Sequence, residues 1–400
     1  MLSVDEALAR VLAGVRTAAA TPCAIGRAGL RHTCANVIAG TTHPPADSSA
    51  MDGYAVRSQD VGRVPARLRV VGEAPAGGHY DGHVQPGEAV RIFTGGPVPA
   101  GADAVVAQED TRNLGGHTIE ILEAAAPGKH IRRCGNDFSA GDVLVPAGQL
   151  LNAPAIALAA AGGLAALDVS PIPKVAILAT GDELVAPGEP IGPHQIVAST
   201  SLGLAALIAA AGGEAIDLGI APDDPAAIVA AARSCPQADM LVTTGGASVG
   251  ERDFVQSALA AAGLTVDFWK IAMKPGKPLI FGAFEGKAFF GLPGNPVSAL
   301  VCALLFLRPA LLKFQGRPDT LRRVEAALGE ALPATGRRQE YLRAGLSGSA
   351  ERPIATAFPV QDSGGLKTLA LSDALIVRPP DAPPAPAGAV VDVIPLAGIW

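Results

Sequence analysis

Charged side chains are scarce in this chain of 400 residues: they make up 17% of it, and its formal net charge is −6. Such a charge argues against a broad electrostatic surface for nucleic acid, so an anionic ligand would have to be met by a local cluster of cations. Hydrophobic residues, at 49%, are too many for a disordered chain and supply enough material for a sizeable core. A chain of this length is expected to divide into two or more domains.

Cysteine is scarce as well, with five residues that lie far apart and lack the close pairing of a zinc site. This pattern indicates reduced thiols in a cytoplasmic protein.

Long uninterrupted hydrophobic runs are missing too, because the most apolar stretch, PVSALVCALLFLRPALL, is cut by Arg308 and Pro309. It predicts a core helix and no membrane span. The first residues, MLSVDEALARVLAG, predict an amphipathic helix and lack the pattern of an export signal.

The order of elements predicts a multidomain α/β plus β protein. Short β runs separated by glycine and proline turns fill residues 47–137, between helical segments at 3–20 and 151–167 that we expect to pair in one discontinuous domain. From Lys174, strands alternate with helices, which is typical of a parallel sheet covered on both faces. The runs KPLIFGAF and KAFFGLPG are expected to form a hairpin around Glu285 and Gly286, and β-like sequence follows Gly316.

These features predict four domains. A linker domain would combine residues 1–40 and 139–168, and a β-rich domain of residues 41–138 would be inserted in it. The α/β domain would span residues 169–315, and a terminal β domain residues 316–400.

Three unusual loops follow strands of the α/β segment: ATGDEL, TTGGASVGERDF and GLPGNPVSA. In open α/β sheets, ligands bind outside the carboxyl ends of the strands, so these loops are expected to form one crevice. Glycines in the second loop would present several backbone N–H groups to an anion. Taken singly, each loop is equally compatible with ordinary turn chemistry.

Cations and acids accompany the loops. Lys270, Lys274 and Lys277 fall within eight residues in WKIAMKPGKP and would supply positive charge for phosphate or another oxyanion, although they could also form a solvated edge. Glu183, Asp224 and Asp253 offer oxygen donors suited to Mg²⁺. The combination suggests phosphoanhydride chemistry, which needs positioning and charge stabilisation. A serine nucleophile has no support, since no serine has the strand-to-helix context of a hydrolase elbow.

The motifs resemble the MoeA family, whose relatives include the C-terminal domain of gephyrin. The matching blocks, in chain order, are PPADSSAMDGYAV, RIFTGGPVPAGADAVVAQED, RRCGNDF, VAILATGDELV, DMLVTTGGASVGERDF, WKIAMKPGKPLIFG, FFGLPGNPVSALV and QDSGGLKTLALSDALIVRP. The resemblance implies a homodimer of four-domain subunits, with a helical linker domain, an inserted β-rich domain, a molybdopterin-binding α/β domain with a parallel-rich sheet and a C-terminal β barrel. It also implies an active site shared across the dimer, to which Asp52, Thr94 and Asp137 of the inserted domain contribute.

The activity that this resemblance implies is molybdenum insertion: adenylated molybdopterin and molybdate, with Mg²⁺, would yield molybdenum cofactor and AMP. The implied catalytic residues are Asp52, Glu183, Asp253, Lys274 and Lys277. The implied metal ligands are Glu183, Asp224 and Asp253. Substrate contacts are expected from Thr94, Asp137, Gly245, Gly246, Ser248, Lys270, Pro293, Pro296, Ser298, Arg343 and Ser363, of which Ser298, Arg343 and Ser363 would help Lys274 and Lys277 to hold molybdate. The adenylyltransferase of the same pathway and acceptor molybdoenzymes are the expected protein partners.

Two departures from the family pattern bear on ligand detail. Ser199-Thr200 stands where relatives usually carry Ser-Asn, and Asn136 stands where others have an acid. Two other functions stay open at this point. A pterin adenylyltransferase uses a related α/β domain but would not need the two β domains, and a non-catalytic pterin-binding scaffold would not need the acids and lysines.

Overall fold

The computed structural model describes residues 1–245, 254–318 and 321–399. They form two compact units: the first combines Met1–Thr21 with the chain from Ser170 onward, and the second is Pro22–Val169. The α-helices of the described residues are α1 (Val4–Gly14), α2 (Ala153–Ala161), α3 (Thr200–Ala210), α4 (Pro225–Arg233), α5 (Phe254–Ala261), α6 (Pro296–Cys302), α7 (Arg308–Phe314) and α8 (Leu366–Ala370).

The strands up to the end of the second unit are β1 (Thr21–Ala24), β2 (Val37–Ile38), β3 (Ser48–Ser49), β4 (Gly53–Val56), β5 (Ala66–Ala74), β6 (Glu88–Ile92), β7 (Ala104–Ala107), β8 (Thr111–Gly115), β9 (Thr118–Ile121), β10 (Ile131–Arg132), β11 (Val143–Val145) and β12 (Ala166–Val169). The strands that follow are β13 (Lys174–Thr180), β14 (Leu184–Val185), β15 (Ile196–Val197), β16 (Glu214–Ala221), β17 (Met240–Thr244), β18 (Thr265–Phe268), β19 (Met273–Lys274), β20 (Ile280–Phe284), β21 (Lys287–Leu292), β22 (Val324–Leu328), β23 (Gln339–Ser349), β24 (Arg352–Ala357), β25 (Ala374–Arg378) and β26 (Val390–Pro395).

The second unit is built on a six-stranded sheet with the order β7-β4-β6-β5-β9-β8. Its pairings are antiparallel except for β5 with β6. Two apolar clusters pack on this sheet, and a third gathers α2 with its neighbouring strands. The β-rich segment predicted for residues 47–137 is therefore confirmed as a sheet.

The first unit contains the predicted α/β sheet, with the order β16-β13-β17-β21-β20-β18. Strands β16, β13, β17 and β21 run parallel to one another, while β20 is antiparallel to both of its neighbours, β21 and β18. The hairpin between β20 and β21 turns at Glu285 and Gly286, both with positive φ (50° and 78°), which suits a tight two-residue connection. Apolar clusters cover both faces of the sheet, as the alternating pattern predicts.

Helices α6 and α7, joined by a π-helical segment at Ala303–Leu307, make one continuous helix over Pro296–Phe314. It is long and apolar enough to cross a membrane by length and composition, but 89% of its most apolar window is buried inside the protein. The prediction of a core helix for this stretch is confirmed.

Helix α1 also packs into the core of the first unit, which corrects the expected pairing of residues 3–20 with residues 151–167. Val4, Ala7 and Val11 are buried in the cluster that contains the long helix, whereas α2 belongs to the second unit. Ser3 and Glu6 form a capping box at the start of α1. The amphipathic pattern correctly gave a helix with one buried face but did not determine what that face contacts.

Strands after residue 321 close into a barrel. The order β23-β24-β22-β26-β25 returns to β23 through a β23–β25 pairing, so all five strands have two neighbours. Strand β19 adds to β23 in parallel and ties the barrel to the α/β part of the same unit. The predicted terminal β barrel is thus present.

Candidate active site

The described parts of the three predicted loops meet at one edge of the parallel sheet. The ends of their strands are in register, since Ala179 pairs with Thr244 and Thr244 pairs with Leu292. A cavity of about 470 Å³ lies beyond these ends. Its described lining is Ala179, Thr180, Gly181, Glu183, Leu184, Ile196, Val197, Ala198, Ser199, Thr200, Ser201, Asp223, Thr244, Gly245, Phe254, Val255, Pro278, Pro293, Gly294, Asn295 and Pro296. The expected crevice is therefore formed.

Gly245 is required where the first and second loops approach each other. Its φ is +92°, and a Cβ there would lie 2.5 Å from the carbonyl oxygen of Thr180. The Thr180 hydroxyl donates to the carbonyl oxygen of Thr244 at 3.3 Å, which links the same two loops. The other predicted residues of the second loop, Gly246, Ser248 and Asp253, lie outside the described residues.

The acids at the cavity differ from the predicted set by one position. Glu183 lines the cavity as expected, but from the neighbouring segment it is Asp223 that does so. The Asp224 carboxylate instead accepts a hydrogen bond from the backbone N of Ala227 at 2.8 Å and caps α4. The backbone N of Asp223 donates to the Asp182 carboxylate at 3.1 Å. Sequence reasoning missed Asp223, although the Asp-Pro pair at 224–225 is the usual signature of an N-cap followed by the first helical residue.

The donor chemistry at the cavity suits a magnesium ion. No three His, Cys, Asp or Glu side chains are grouped to hold a metal within residues 1–245, 254–318 and 321–399. Mg²⁺, however, is commonly bound by one or two carboxylates together with waters and substrate phosphates, so a protein cage is not needed. Glu183 and Asp223, both lining the cavity, provide carboxylates of that kind.

The lysine cluster is more dispersed than its sequence spacing suggests. The Nζ of Lys270 lies 3.5 Å from the centroid of the Trp269 ring, and the Nζ of Lys274 lies 3.2 Å from an Oε of Glu340 in the barrel. Lys277 is exposed on the same segment. The described lining of the cavity includes Pro278 but none of these lysines. They lie on a segment that pairs with the barrel through β19 and then reaches the cavity at Pro278.

The barrel places the predicted Ser363 against the third loop. The Ser363 hydroxyl accepts from the Nδ2 of Asn295 at 2.9 Å, and its carbonyl oxygen accepts from the backbone N of Val297 at 3.1 Å. Ser298, the next residue along α6, is buried, with 5% of its surface exposed. The structure therefore brings Ser363 into contact with Asn295, which lines the cavity. The contribution of Asn295 was not predicted, because its partner is 68 positions away.

Arg343, expected at the same place, lies behind this contact. Only 1% of its surface is exposed, and its Nη2 donates to the carbonyl oxygen of Asp362 at 3.0 Å. Its Nε has no partner among the described residues. Burial lowers the pKa of the Arg343 guanidinium, but an arginine remains a cation at neutral pH. Arg343 thus holds the backbone beside Ser363.

In the second unit, Asp52 and Thr94 are neighbours. One carboxylate oxygen of Asp52 accepts from both the backbone N and the hydroxyl of Thr94, at 2.7 and 2.8 Å. These two bonds, helped by the charge of Arg91, hold the pKa of Asp52 below its ordinary value. The Arg91 guanidinium lies 5.1 Å from the Tyr54 ring centroid. Asp52 is therefore an ionised carboxylate fixed at the protein surface.

Asp137, the third residue predicted from the inserted domain, is exposed in the turn before Phe138, and its backbone N donates to the carbonyl oxygen of His43 at 3.1 Å. No described contact joins its side chain to Asp52.

Comparison with known proteins identifies this arrangement. Family models match residues 2–163 (MoeA N-terminal region, domain I and II), residues 176–313 (probable molybdopterin binding domain) and residues 325–396 (MoeA C-terminal region, domain IV). A molybdopterin molybdenumtransferase 2 of Mycobacterium tuberculosis is 39% identical over 369 residues, covering 90% of each chain. The chain belongs to the MoeA family.

Other MoeA relatives agree with this placement. A molybdopterin molybdenumtransferase of a Nostoc species is 38% identical over 84% of this chain and 79% of its own. The crystal structure of a molybdopterin biosynthesis MoeA protein from Pyrococcus horikoshii matches over the full length of both chains, with a TM-score of 0.84 and 31% identity. The predicted family and fold class are both confirmed.

Proposed function

We propose that this chain is a molybdopterin molybdenumtransferase, an enzyme of molybdenum cofactor biosynthesis. It takes adenylated molybdopterin and molybdate, releases AMP and leaves molybdenum on the pterin. The observation that carries the proposal is the meeting of the ends of β13, β17 and β21 at one cavity in a MoeA chain, with Ser363 of the barrel bonded to the lining residue Asn295. The names of its relatives support the same reaction.

The cavity is assigned to the nucleotide-capped pterin. Its volume falls within the range of about 300–1,000 Å³ that is usual for small-molecule sites. Gly245, with Gly246 and Ser248, would contact phosphate or pterin, since glycines let the backbone N–H groups approach an anion. Pro293 and Pro296 give the neighbouring part of the cavity wall a fixed backbone, because proline locks φ.

Three acids are proposed for the Mg²⁺ that accompanies the adenylate: Glu183, Asp253 and, in place of Asp224, Asp223. When bound, Mg²⁺ would offset the negative charge of the phosphoanhydride. The protein's own contribution is to orient the anhydride in the crevice, so that its cleavage exposes the dithiolene to molybdenum.

Molybdate carries a charge of −2 and requires charge-assisted donors to replace its lost water. The groups proposed to hold it or to line its approach are Lys270, Lys274, Lys277, Ser298 and Ser363. Arg343 is assigned a supporting role, since its guanidinium holds the backbone next to Ser363.

The proposal includes a homodimer in the cytoplasm, in which Asp52, Thr94 and Asp137 of the partner subunit complete the site. Asp52 is suited to this because Thr94 fixes one of its oxygens and keeps it ionised. The pathway's adenylyltransferase would deliver the pterin, and molybdoenzymes would accept the product.

AMP release tests the proposal directly. Purified protein is incubated with adenylated molybdopterin, molybdate and MgCl₂, and AMP is measured by chromatography against a reaction without protein. We expect AMP to appear in a molybdate-dependent manner. No AMP above the control would reject the transferase and favour a pterin-binding scaffold. A separate incubation with ATP and unmodified molybdopterin tests for an adenylyltransferase, which would release pyrophosphate.

A further inference from the structure

The first turn of the helix at the cavity wall is capped from the barrel. Helix α6 begins at Pro296, and Asn295 has the extended backbone of an N-cap residue (φ −66°, ψ 124°), yet its side chain makes no capping hydrogen bond. The Asn295 amide donates to the Ser363 hydroxyl, and the backbone N of Val297 donates to the Ser363 carbonyl oxygen. The first N–H groups of a helix need acceptors from outside it. Here, one of those acceptors lies in the barrel.

The segment that carries Ser363, Gln361–Gly364, is fixed on its other side by Arg343. The Gln361 side chain accepts from the backbone N of Arg343 and donates to its carbonyl oxygen, both at 2.9 Å. The Arg343 guanidinium holds the Asp362 carbonyl oxygen, and the Asp362 carboxylate accepts from the backbone N of Gly364 at 2.7 Å. We call residues 361–364 the barrel loop. The barrel loop is therefore bonded to the barrel on one side and to the start of α6, through Asn295 and Val297, on the other.

We infer that Asn295 is a positioning residue that holds the barrel loop, and with it Ser363, at the rim of the substrate cavity. The effect on activity that we expect from this role rests on the proposed function. Asn295 itself lines the cavity, so the same side chain joins the pterin pocket to the loop assigned to molybdate. Arg343 acts at the far side of that loop. Loss of the Asn295 amide leaves the Val297 contact and loosens Ser363 without unfolding the barrel.

The test compares the Asn295→Ala, Ser363→Ala and double variants of the full-length protein. A net hydrogen bond contributes about 0.5–1.5 kcal/mol, so we expect Asn295→Ala to raise the half-saturating molybdate concentration by about two- to tenfold. In the Ser363→Ala background, Asn295→Ala should have no further effect, since both variants remove the same bond.

A matched control is Asn152→Ala, which removes another N-cap asparagine, whose side chain accepts from the backbone N of Ala155. It should lower the melting temperature without changing the molybdate dependence. If Asn295→Ala behaved like this control, Asn295 would be merely structural and the inference would be overturned. An additive effect in the double variant would overturn it as well.

Hydrogen exchange gives a readout that does not depend on turnover. We expect Asn295→Ala to speed exchange at the amides of residues 364–366, whose hydrogen bonds lie within and beside the barrel loop. If the parent protein released no AMP, the proposed function would fail while this measurement still tested the docking of the loop. Unchanged exchange in Asn295→Ala would reject the positioning role.

Discussion

The adjacent acids Asp223 and Asp224 allow a sharp test of which carboxylate serves the site. Asp224 caps α4 through the backbone N of Ala227, and loss of such a cap costs about 1 kcal/mol. In a unit of the size that contains α4, that loss lowers Tm by about 2–4 °C. We therefore expect Asp224→Ala to melt earlier but to keep its dependence on Mg²⁺.

Asp224→Asn separates capping from charge, because asparagine caps helices as well as aspartate does but lacks the negative charge with which a carboxylate attracts Mg²⁺. We expect this variant to match the parent in both Tm and Mg²⁺ dependence. Asp223→Asn changes the acid that lines the cavity. Its half-saturating Mg²⁺ should rise by about ten- to hundredfold, the range seen when a group that supports metal binding is lost.

The assay measures Tm by circular dichroism and AMP release across an MgCl₂ titration for the parent and the three variants. One result would refute the reasoning: an Asp224→Asn protein with unchanged Tm and a raised half-saturating Mg²⁺. That outcome would mean that Asp224 acts through its charge, as its sequence motif suggested, and that its cap of α4 is incidental.

Three further predictions concern other parts of the site. Gly245→Ala should destabilise the first unit by about 1–3 kcal/mol, because it places a side chain at positive φ and against a backbone oxygen, and chemical denaturation measures this loss. Glu340→Gln should lower the half-saturating molybdate by up to about fivefold, since it removes the carboxylate that competes for Lys274, and an exposed pair of this kind contributes about 0–1 kcal/mol. Thr94→Val should raise the pKa of Asp52 toward its ordinary value, as measured by carboxyl carbon NMR titration, because one of its two donors is lost.

The pH dependence of the Thr94 contact has a definite sign. The pKa of Asp52 is lowered in the folded protein, so its bonds to Thr94 contribute stability at neutral pH. That contribution is lost as the pH falls through the folded-state pKa, and in Thr94→Val part of it is absent throughout. An Asp52 titration identical to the parent's would show that the hydroxyl has no influence. Likewise, a parent-like denaturation curve for Gly245→Ala, or an unchanged molybdate curve for Glu340→Gln, would contradict the other two predictions.

The sequence predicted the α/β sheet well because its signals are local. Buried strands such as β13 are continuous apolar runs, and the helices between them begin and end at glycine, proline and capping residues. The Glu285-Gly286 turn is likewise indicated by Gly286, because glycine tolerates positive φ. Since the ends of parallel strands meet at one edge, the order of these elements was enough to place three loops around one cavity.

The packing partner of α1 could not be predicted in the same way. Its apolar residues recur at helical spacing, which fixes the buried face but carries no information about the surface that covers it. The sequence alone would allow α1 to pack through Val4, Ala7 and Val11 against either α2 or the long core helix. Only the three-dimensional arrangement of the first unit decides for the core helix.

The chemistry of the site was predictable in its residue types and less so in their roles, and the lysines show why. Strand β19 places the buried Met273 and the exposed Lys274 on alternate faces, and its register brings Lys274 opposite Glu340, which is 66 positions away. The sequence WKIAMKPGKP shows three lysines, but it does not show that a distant carboxylate pairs with one of them in the folded protein. The charge available to an anion is therefore set by the pairing of β19 with the barrel, which makes the barrel an electrostatic part of the site as well as a source of Ser363.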